Sequence, residues 1–146
     1  MREDFDVGFT VLELMVVICI AALLMTLWFP RAARLMDWIS TDRARHDMTT
    51  ALAVARHGAV LQATRARLTI SADTLRIDRL DATGWKPWWR QPGPASHGVL
   101  LQVSNPVVVF GPSGVGWGAS NTKIVLSRGS QAETITVSRL GRVKVW

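Results

Sequence analysis

The apolar residues of the N-terminal part form first an unbroken run and then a periodic stripe. From Phe9 to Phe29 the chain has 21 residues with a single charge, Glu13. A helix of roughly 20 apolar residues spans a bilayer, so this run predicts a transmembrane helix. From Arg31 to Gln62 apolar residues recur every three or four positions, which predicts that the helix continues with one apolar face. That face contains Leu35, Ile39, Met48, Leu52 and Ala55.

Beyond the helix, apolar and polar residues alternate with a period of two in seven short segments, as is typical of strands with one buried face. The segment Asp81–His97 is rich in Trp, Pro and Gly, and we predict a long loop there. The fold class is therefore α+β, a long N-terminal helix that continues into a small antiparallel sheet domain. The predicted strands are Arg67–Ser71, Thr74–Leu80, Val99–Val103, Val107–Phe110, Thr122–Ser127, Thr134–Arg139 and Arg142–Val145.

The charge balance favours anionic partners. The chain has 17 Lys and Arg residues against 11 Asp and Glu residues, a formal net charge of +6 and a pI of about 11.0. Nucleic acid, lipid head groups and acidic protein surfaces all suit such a chain. Cys19 is the single cysteine, so an intramolecular disulfide is excluded.

A glycine-rich segment follows Val107–Phe110 and begins like a phosphate-binding loop. Such a loop ends in Lys followed by Ser or Thr, because these side chains contact the phosphates and Mg²⁺. Here the two positions hold Trp117 and Gly118, so the cation that would hold the phosphate is missing. We interpret the segment as a connection between two strands.

The sequence predicts neither a catalytic constellation nor a metal site. Ser113 lies one residue out of register with the G-x-S-x-G nucleophile elbow. His46 and His57 are eleven residues apart and share a helix face, but no Cys or nearby Glu completes a metal set with them or with His97. We expect no enzyme activity, no metal and no cofactor.

The residues around the start of the apolar run resemble the class III signal of type IV pilins and pseudopilins. The stretch reads GFTVLELMVV and starts at Gly8. The resemblance implies that a prepilin peptidase cuts after Gly8 and methylates the new N-terminal Phe9. It also implies that Glu13 pairs with the N-terminal amine of a neighbouring subunit. The alternative for Glu13 is that its carboxylate snorkels to the membrane interface. Pro30 lies where helices of the family commonly kink.

One feature of the N-terminus departs from the family pattern. Family leaders are usually basic, whereas the residues before Phe9 include Arg2 against three acids. Arg31 and Arg34 follow the apolar run. The positive-inside rule would place these arginines on the cytoplasmic side of the membrane, whereas the motif implies that the residues after the apolar run lie in the periplasm. We give the motif more weight than the positive-inside rule, because the acidic residues of the leader contribute little to that rule.

The rest of the chain resembles the GspH/FimT type of minor pseudopilin. The resemblance rests on Ala55-Arg56 near the helix end, on Phe110-Gly111-Pro112-x-Gly114, and on Gly141-Arg142-Val143. It implies a leader at 1–8, a transmembrane helix at 9–30 and a periplasmic domain at 31–146. The implied function is a minor pseudopilin at or near the tip of a type II secretion pseudopilus. Its implied partners are other pilins or pseudopilins, the prepilin peptidase and inner-membrane lipid.

The alternative function is a FimT-like minor pilin that binds DNA for natural transformation. The candidate DNA-binding residues are Arg139, Arg142 and Lys144. The end of the chain resembles the G-R-x-R motif of such pilins, with Lys144 in place of the last Arg, which keeps the charge but loses the bidentate fork. A solvated strand face is the competing interpretation. The tryptophans at 85, 88 and 89 are either a contact surface for another subunit or a small satellite core.

Overall fold

The computed structural model describes residues 10–146, apart from the side chains of Leu27 and Pro30. Gly8 and Phe9 therefore lie outside the described residues. One long helix is followed by eight strands and a short 3₁₀-helix, Pro94–His97. The predicted α+β class with antiparallel strands is confirmed. The chain divides into two compact units, one ending at Leu35 and the other spanning Met36–Trp146.

Helix α1 spans Val11–Leu61 and stays helical through Pro30. It ends in a Schellman motif. The N–H of Thr64 donates to the carbonyl of Ala59, and the N–H of Ala63 donates to the carbonyl of Val60. Ala63 takes the left-handed conformation, with φ of 48°, that glycine usually supplies at this position. The helix thus ends one residue before the predicted Gln62.

Small residues dominate the buried face of α1, so the sheets can approach its backbone closely. The predicted stripe is only partly right, because Leu35 is 57% exposed and Ile39 is half-buried. Burial begins at Thr41, whose hydroxyl donates to the carbonyl of Asp37 at 2.9 Å. In the other unit, the described apolar side chains from Val11 onward are exposed, as a membrane-spanning segment requires. The buried apolar residues of α1 are Ala44, Met48, Ala51, Leu52, Ala55 and Ala59.

The strands form two four-stranded antiparallel sheets. Sheet 1 has the strand order β3-β2-β1-β5, and sheet 2 has the order β4-β6-β7-β8. Their inner faces share one apolar core with α1. Each predicted strand is present; Val107–Phe110 coincides with β5, and the other strands have shifted ends, with the largest shift moving the start of β7 three residues earlier. The bounds are β1 Ala66–Ile70, β2 Thr74–Asp81, β3 Gly84–Pro92, β4 Leu100–Val103, β5 Val107–Phe110, β6 Thr122–Arg128, β7 Gln131–Val137 and β8 Val143–Val145.

The predicted loop Asp81–His97 is wrong, since most of it is strand β3 followed by the 3₁₀-helix. Strand β3 pairs with β2 over its whole length and tolerates two prolines because it is an edge strand. A register irregularity opposite Ile77 disturbs its alternation. At the β2–β3 turn, the Lys86 amine lies 2.6 Å from the Asp81 carboxylate, and the hydrogen bond from Lys86 lowers the pKa of Asp81.

The tryptophans of β3 face different surroundings. Trp89 packs against the core and pairs with Ile77. Trp88, 39% exposed, lies against α1 where Gly58 leaves room, and a Cβ there would come within 2.5 Å of its ring. Trp89 thus belongs to the edge of the main core and no separate satellite core forms among these residues, whereas Trp85 lies under a guanidinium on the outward face of sheet 1.

Candidate functional sites

Glu13 lies in the first turn of α1 and caps the helix. The backbone N–H and the hydroxyl of Thr10 donate to its Oε2 at 3.0 and 3.1 Å. The N–H of Glu13 donates in return to the Thr10 hydroxyl at 3.2 Å. This reciprocal arrangement is a capping box. Its sequence signal, T-x-x-E, is contiguous in residues 10–13.

The predicted basic residues at the C-terminus are all exposed, but they occupy different positions. Arg142 and Lys144 lie on one face of sheet 2, because Ser138 opposes Arg142 and Thr136 opposes Lys144. The Lys144 amine lies 3.3 Å from the ring centroid of Trp146, a cation–π contact. Arg139 lies in the turn between β7 and β8.

Lys123 joins the same outward face of sheet 2. It opposes Thr136, which in turn opposes Lys144 on the far side of β7. Glu133 alternates to the inner face, where it contacts Arg45 at 3.4 Å. The strands of sheet 2 therefore present no carboxylate outward within the described residues. Sequence reasoning missed Lys123 because its position beside Lys144 depends on the strand register.

The glycine-rich connection joins β5 of sheet 1 to β6 of sheet 2 and is fixed by backbone contacts. The N–H of Gly116 donates to the carbonyl of Arg139 at 2.9 Å. Gly141, with φ of 71°, approaches the loop so closely that a Cβ would lie 2.5 Å from the Gly114 carbonyl oxygen. The glycines thus allow two turns to pack together, and the interpretation as a strand connection fits this geometry. The isolated bridge between Phe110 and Gly116 completes the contact.

A groove of about 510 Å³ separates the β7–β8 turn from α1. Its basic lining comes from Arg56, His57 and Arg142. The Arg56 guanidinium donates to the carbonyl of Gly141 at 3.4 Å. The groove therefore extends the basic region from the outward face of sheet 2 toward the helix.

The histidines occupy separate places. His46 and His57 are exposed on α1. The His97 ring contacts the Asp47 carboxylate at 2.8 Å, and nearby Arg128 contacts Asp37 at 3.1 Å. These contacts tie α1 to the 3₁₀-helix and to β6. Among residues 10–146, no three His, Cys, Asp or Glu side chains are grouped so that they could hold a metal ion.

The comparison with known families decides what kind of protein this is. Residues 44–141, more than half of the chain, match the family model described as type II transport protein GspH. The chain belongs to the GspH family. The matched residues run from the buried face of α1 to Gly141, so they include both sheets and the glycine-rich connection.

Solved structures share the fold of this GspH-family chain. The type IV minor pilin FimU of Pseudomonas aeruginosa is 15% identical, with a TM-score of 0.60 over 72% of this chain and 91% of FimU. The minor pseudopilin EpsH of Vibrio cholerae is 14% identical, with a TM-score of 0.60 over 73% of this chain and 96% of EpsH. At these identities the likeness shows the fold alone. A search among curated proteins gave no significant match.

Family and fold together support a role as a minor pilin or pseudopilin. They also fit an apolar N-terminal helix that anchors the chain in a membrane, since α1 has the length and composition to cross one.

Proposed function

We propose that this GspH-family chain is a minor pseudopilin of a type II secretion system, assembled at or near the tip of a periplasmic pseudopilus. The observation that supports this choice is the match to the type II transport family over residues 44–141. The subunit is anchored in the inner membrane by residues 9–30 and acts by assembly with other pseudopilins, without catalysing a reaction. Its domain from residue 31 onward lies in the periplasm.

Maturation of the proposed pseudopilin requires cleavage between Gly8 and Phe9, followed by methylation of Phe9. Mass spectrometry of the membrane-purified protein should show a chain that starts at N-methylated Phe9. Gly8→Leu blocks the cut in this proposal and serves as the control. An intact Met1 terminus in cells with active prepilin peptidase would contradict the assignment.

A DNA-binding minor pilin is the second candidate. The observation in its favour is the outward face of sheet 2, which Lys123, Arg142 and Lys144 share without an intervening carboxylate among the described residues. Phosphate backbones bind such surfaces in a salt-dependent way. Arg139 in the adjoining turn adds a fourth cation. Salt titration of DNA binding by the full chain tests this candidate.

A further inference from the structure

Three arginines from three adjacent strands share the outward face of sheet 1. Arg76 on β2 opposes Arg90 on β3 and also opposes Thr69 on β1. Arg67, two residues from Thr69, opposes Asp78. Residues that oppose each other in an antiparallel pair lie on the same face. We call the surface formed by Arg67, Arg76 and Arg90 the arginine face.

Asp78 organises the arginine face without neutralising it. Its carboxylate is only 2% exposed and lies 2.8 Å from an Arg67 nitrogen and 3.1 Å from Nε of Arg76. One buried carboxylate against three guanidinium groups leaves a net charge of +2 on these four residues, and Asp73, which lines a neighbouring groove with Arg90, forms no ion pair with them. Arg67 also lies over the ring of Trp85, 4.5 Å from its centroid, which fixes the plane of the guanidinium.

Arg90 has no carboxylate partner among the described residues. Its guanidinium donates only a long hydrogen bond, 3.3 Å, to the Thr74 hydroxyl. Like charges directly opposite each other destabilise a sheet, so the pairing of Arg90 with Arg76 costs free energy in the isolated chain. Both side chains line a shallow groove of about 290 Å³ together with Thr69, Ser71 and Thr74. A carboxylate placed in this groove would relieve the repulsion and accept bidentate hydrogen bonds.

We propose that the arginine face docks an acidic segment of a different subunit in the filament, through Asp or Glu side chains that enter the groove between Arg76 and Arg90. This proposal rests on the proposed function, since it names the chemistry of a partner subunit. The site lies on sheet 1 and is separate from the basic residues of sheet 2.

Two other occupants have to be separated from an acidic segment. A second copy of the chain offers few free carboxylates, because Asp73 is the only acidic residue of 31–146 that contacts no Arg, Lys or His side chain in an ion pair or charge-assisted contact there. Single-stranded nucleic acid binds through aromatic faces on which bases stack. Arg67 covers a face of Trp85, but Trp88 and Trp89 line a groove with Arg76 and Arg90, so the binding experiment must include a single-stranded nucleic acid.

A peptide-binding experiment on the full chain in detergent tests the proposal. Fluorescein-labelled decaglutamate is titrated at about 150 mM salt, and binding is followed by anisotropy. Arg90→Gln leaves both ion pairs of Asp78 intact, so the fold should be kept, and thermal unfolding checks this. We expect the variant to bind the peptide about tenfold more weakly, as expected for one lost charge-assisted hydrogen bond. Arg43→Gln, which removes an exposed unpaired arginine of α1, should bind within twofold of the parent.

Three results would overturn the proposal: equal losses in the two variants, no binding of decaglutamate, or tighter binding of deca-thymidylate that also depends on Arg90. The last result would assign the face to nucleic acid. Cleavage after Gly8 and co-isolation with other pseudopilins are measured on the same preparations. If these remain intact while peptide binding fails, only the arginine face is refuted and the pseudopilin assignment stands.

Discussion

At the scale of single residues, the carboxylate of Glu13 has two separable roles. It caps the first turn of α1 through Thr10, and in the proposed filament it pairs with the amine of a neighbour. Glutamine at this position can still cap the helix but has no charge. The substitution Glu13→Gln therefore separates the two roles.

We predict that Glu13→Gln lowers incorporation into filaments more than tenfold, because breaking a buried charge pair costs about 3–5 kcal/mol. Thr10→Val removes the capping hydroxyl and keeps the charge, so it should assemble nearly normally. Incorporation is measured by cross-linking in membranes at matched expression. If Thr10→Val fails and Glu13→Gln assembles, capping is the role of Glu13 and the intermolecular pair is wrong.

At the scale of elements, the contact between the glycine-rich connection and the β7–β8 turn has a measurable energy. Gly141 and Gly118 both have φ near 70°, but only Gly141 has backbone within contact distance of an added Cβ. Gly118→Ala should cost about 1–2 kcal/mol, the penalty of the left-handed conformation alone. Gly141→Ala should cost that amount plus at least about 1 kcal/mol for the clash with the Gly114 carbonyl.

Chemical denaturation of the full chain in detergent measures both free energies of unfolding. The difference between the two variants reports the packing of the turn against the loop, since the conformational penalty is common to both. Indistinguishable values would mean that the turn moves away at no cost and that the close approach of Gly141 is incidental.

At the scale of the whole molecule, positive charge faces outward because the negative charge is used internally. Residues 31–146 have 16 basic and 7 acidic side chains, a net charge of +9. Five of the seven carboxylates lie in ion pairs with Arg or Lys within the described residues, and a sixth, that of Asp47, contacts the His97 ring. The cations outside these pairs therefore make the surface potential positive, and this potential attracts polyanions.

A dedicated DNA site on sheet 2 must contribute more to DNA binding than this general attraction does. We predict that Arg142→Gln/Lys144→Gln flattens the log–log salt dependence of duplex binding by about two contacts, each with a slope near −0.9. Arg31→Gln/Arg43→Gln removes the same charge from the exposed face of α1 and should change the slope far less. Gel-shift titrations at several salt concentrations give both slopes. Equal changes in the two pairs would exclude a dedicated site and leave diffuse attraction.

Much of this fold could be predicted because its signals are local. The apolar run, the helix that follows it and seven strands each stand in contiguous sequence. Strand β3 could not be predicted in the same way, since its edge position tolerates Pro87 and Pro92 and its irregular register disturbs the alternation.

The candidate sites also differ in whether their signal is local in the sequence. The Gly8, Phe9 and Glu13 motif is contiguous and remains a prediction about processing and assembly. By contrast, Lys123 and Lys144 share a face, and Arg76 lies opposite Arg90, only because of which residues oppose each other across strands. Pairing register is set by the whole sheet, so composition alone indicated basic character without its location.

The edges of both sheets limit the addition of further strands. The prolines of β3 lack the N–H groups that an added strand would need. The glycine-rich connection covers β5, because the N–H of Trp117 donates to the Val109 carbonyl, and the edges β4 and β8 are only four and three residues long. These features disfavour cross-β aggregation through the sheet edges. In the proposed filament, subunits would therefore associate through the apolar helix while their sheets stay separate, so that assembly could be reversed.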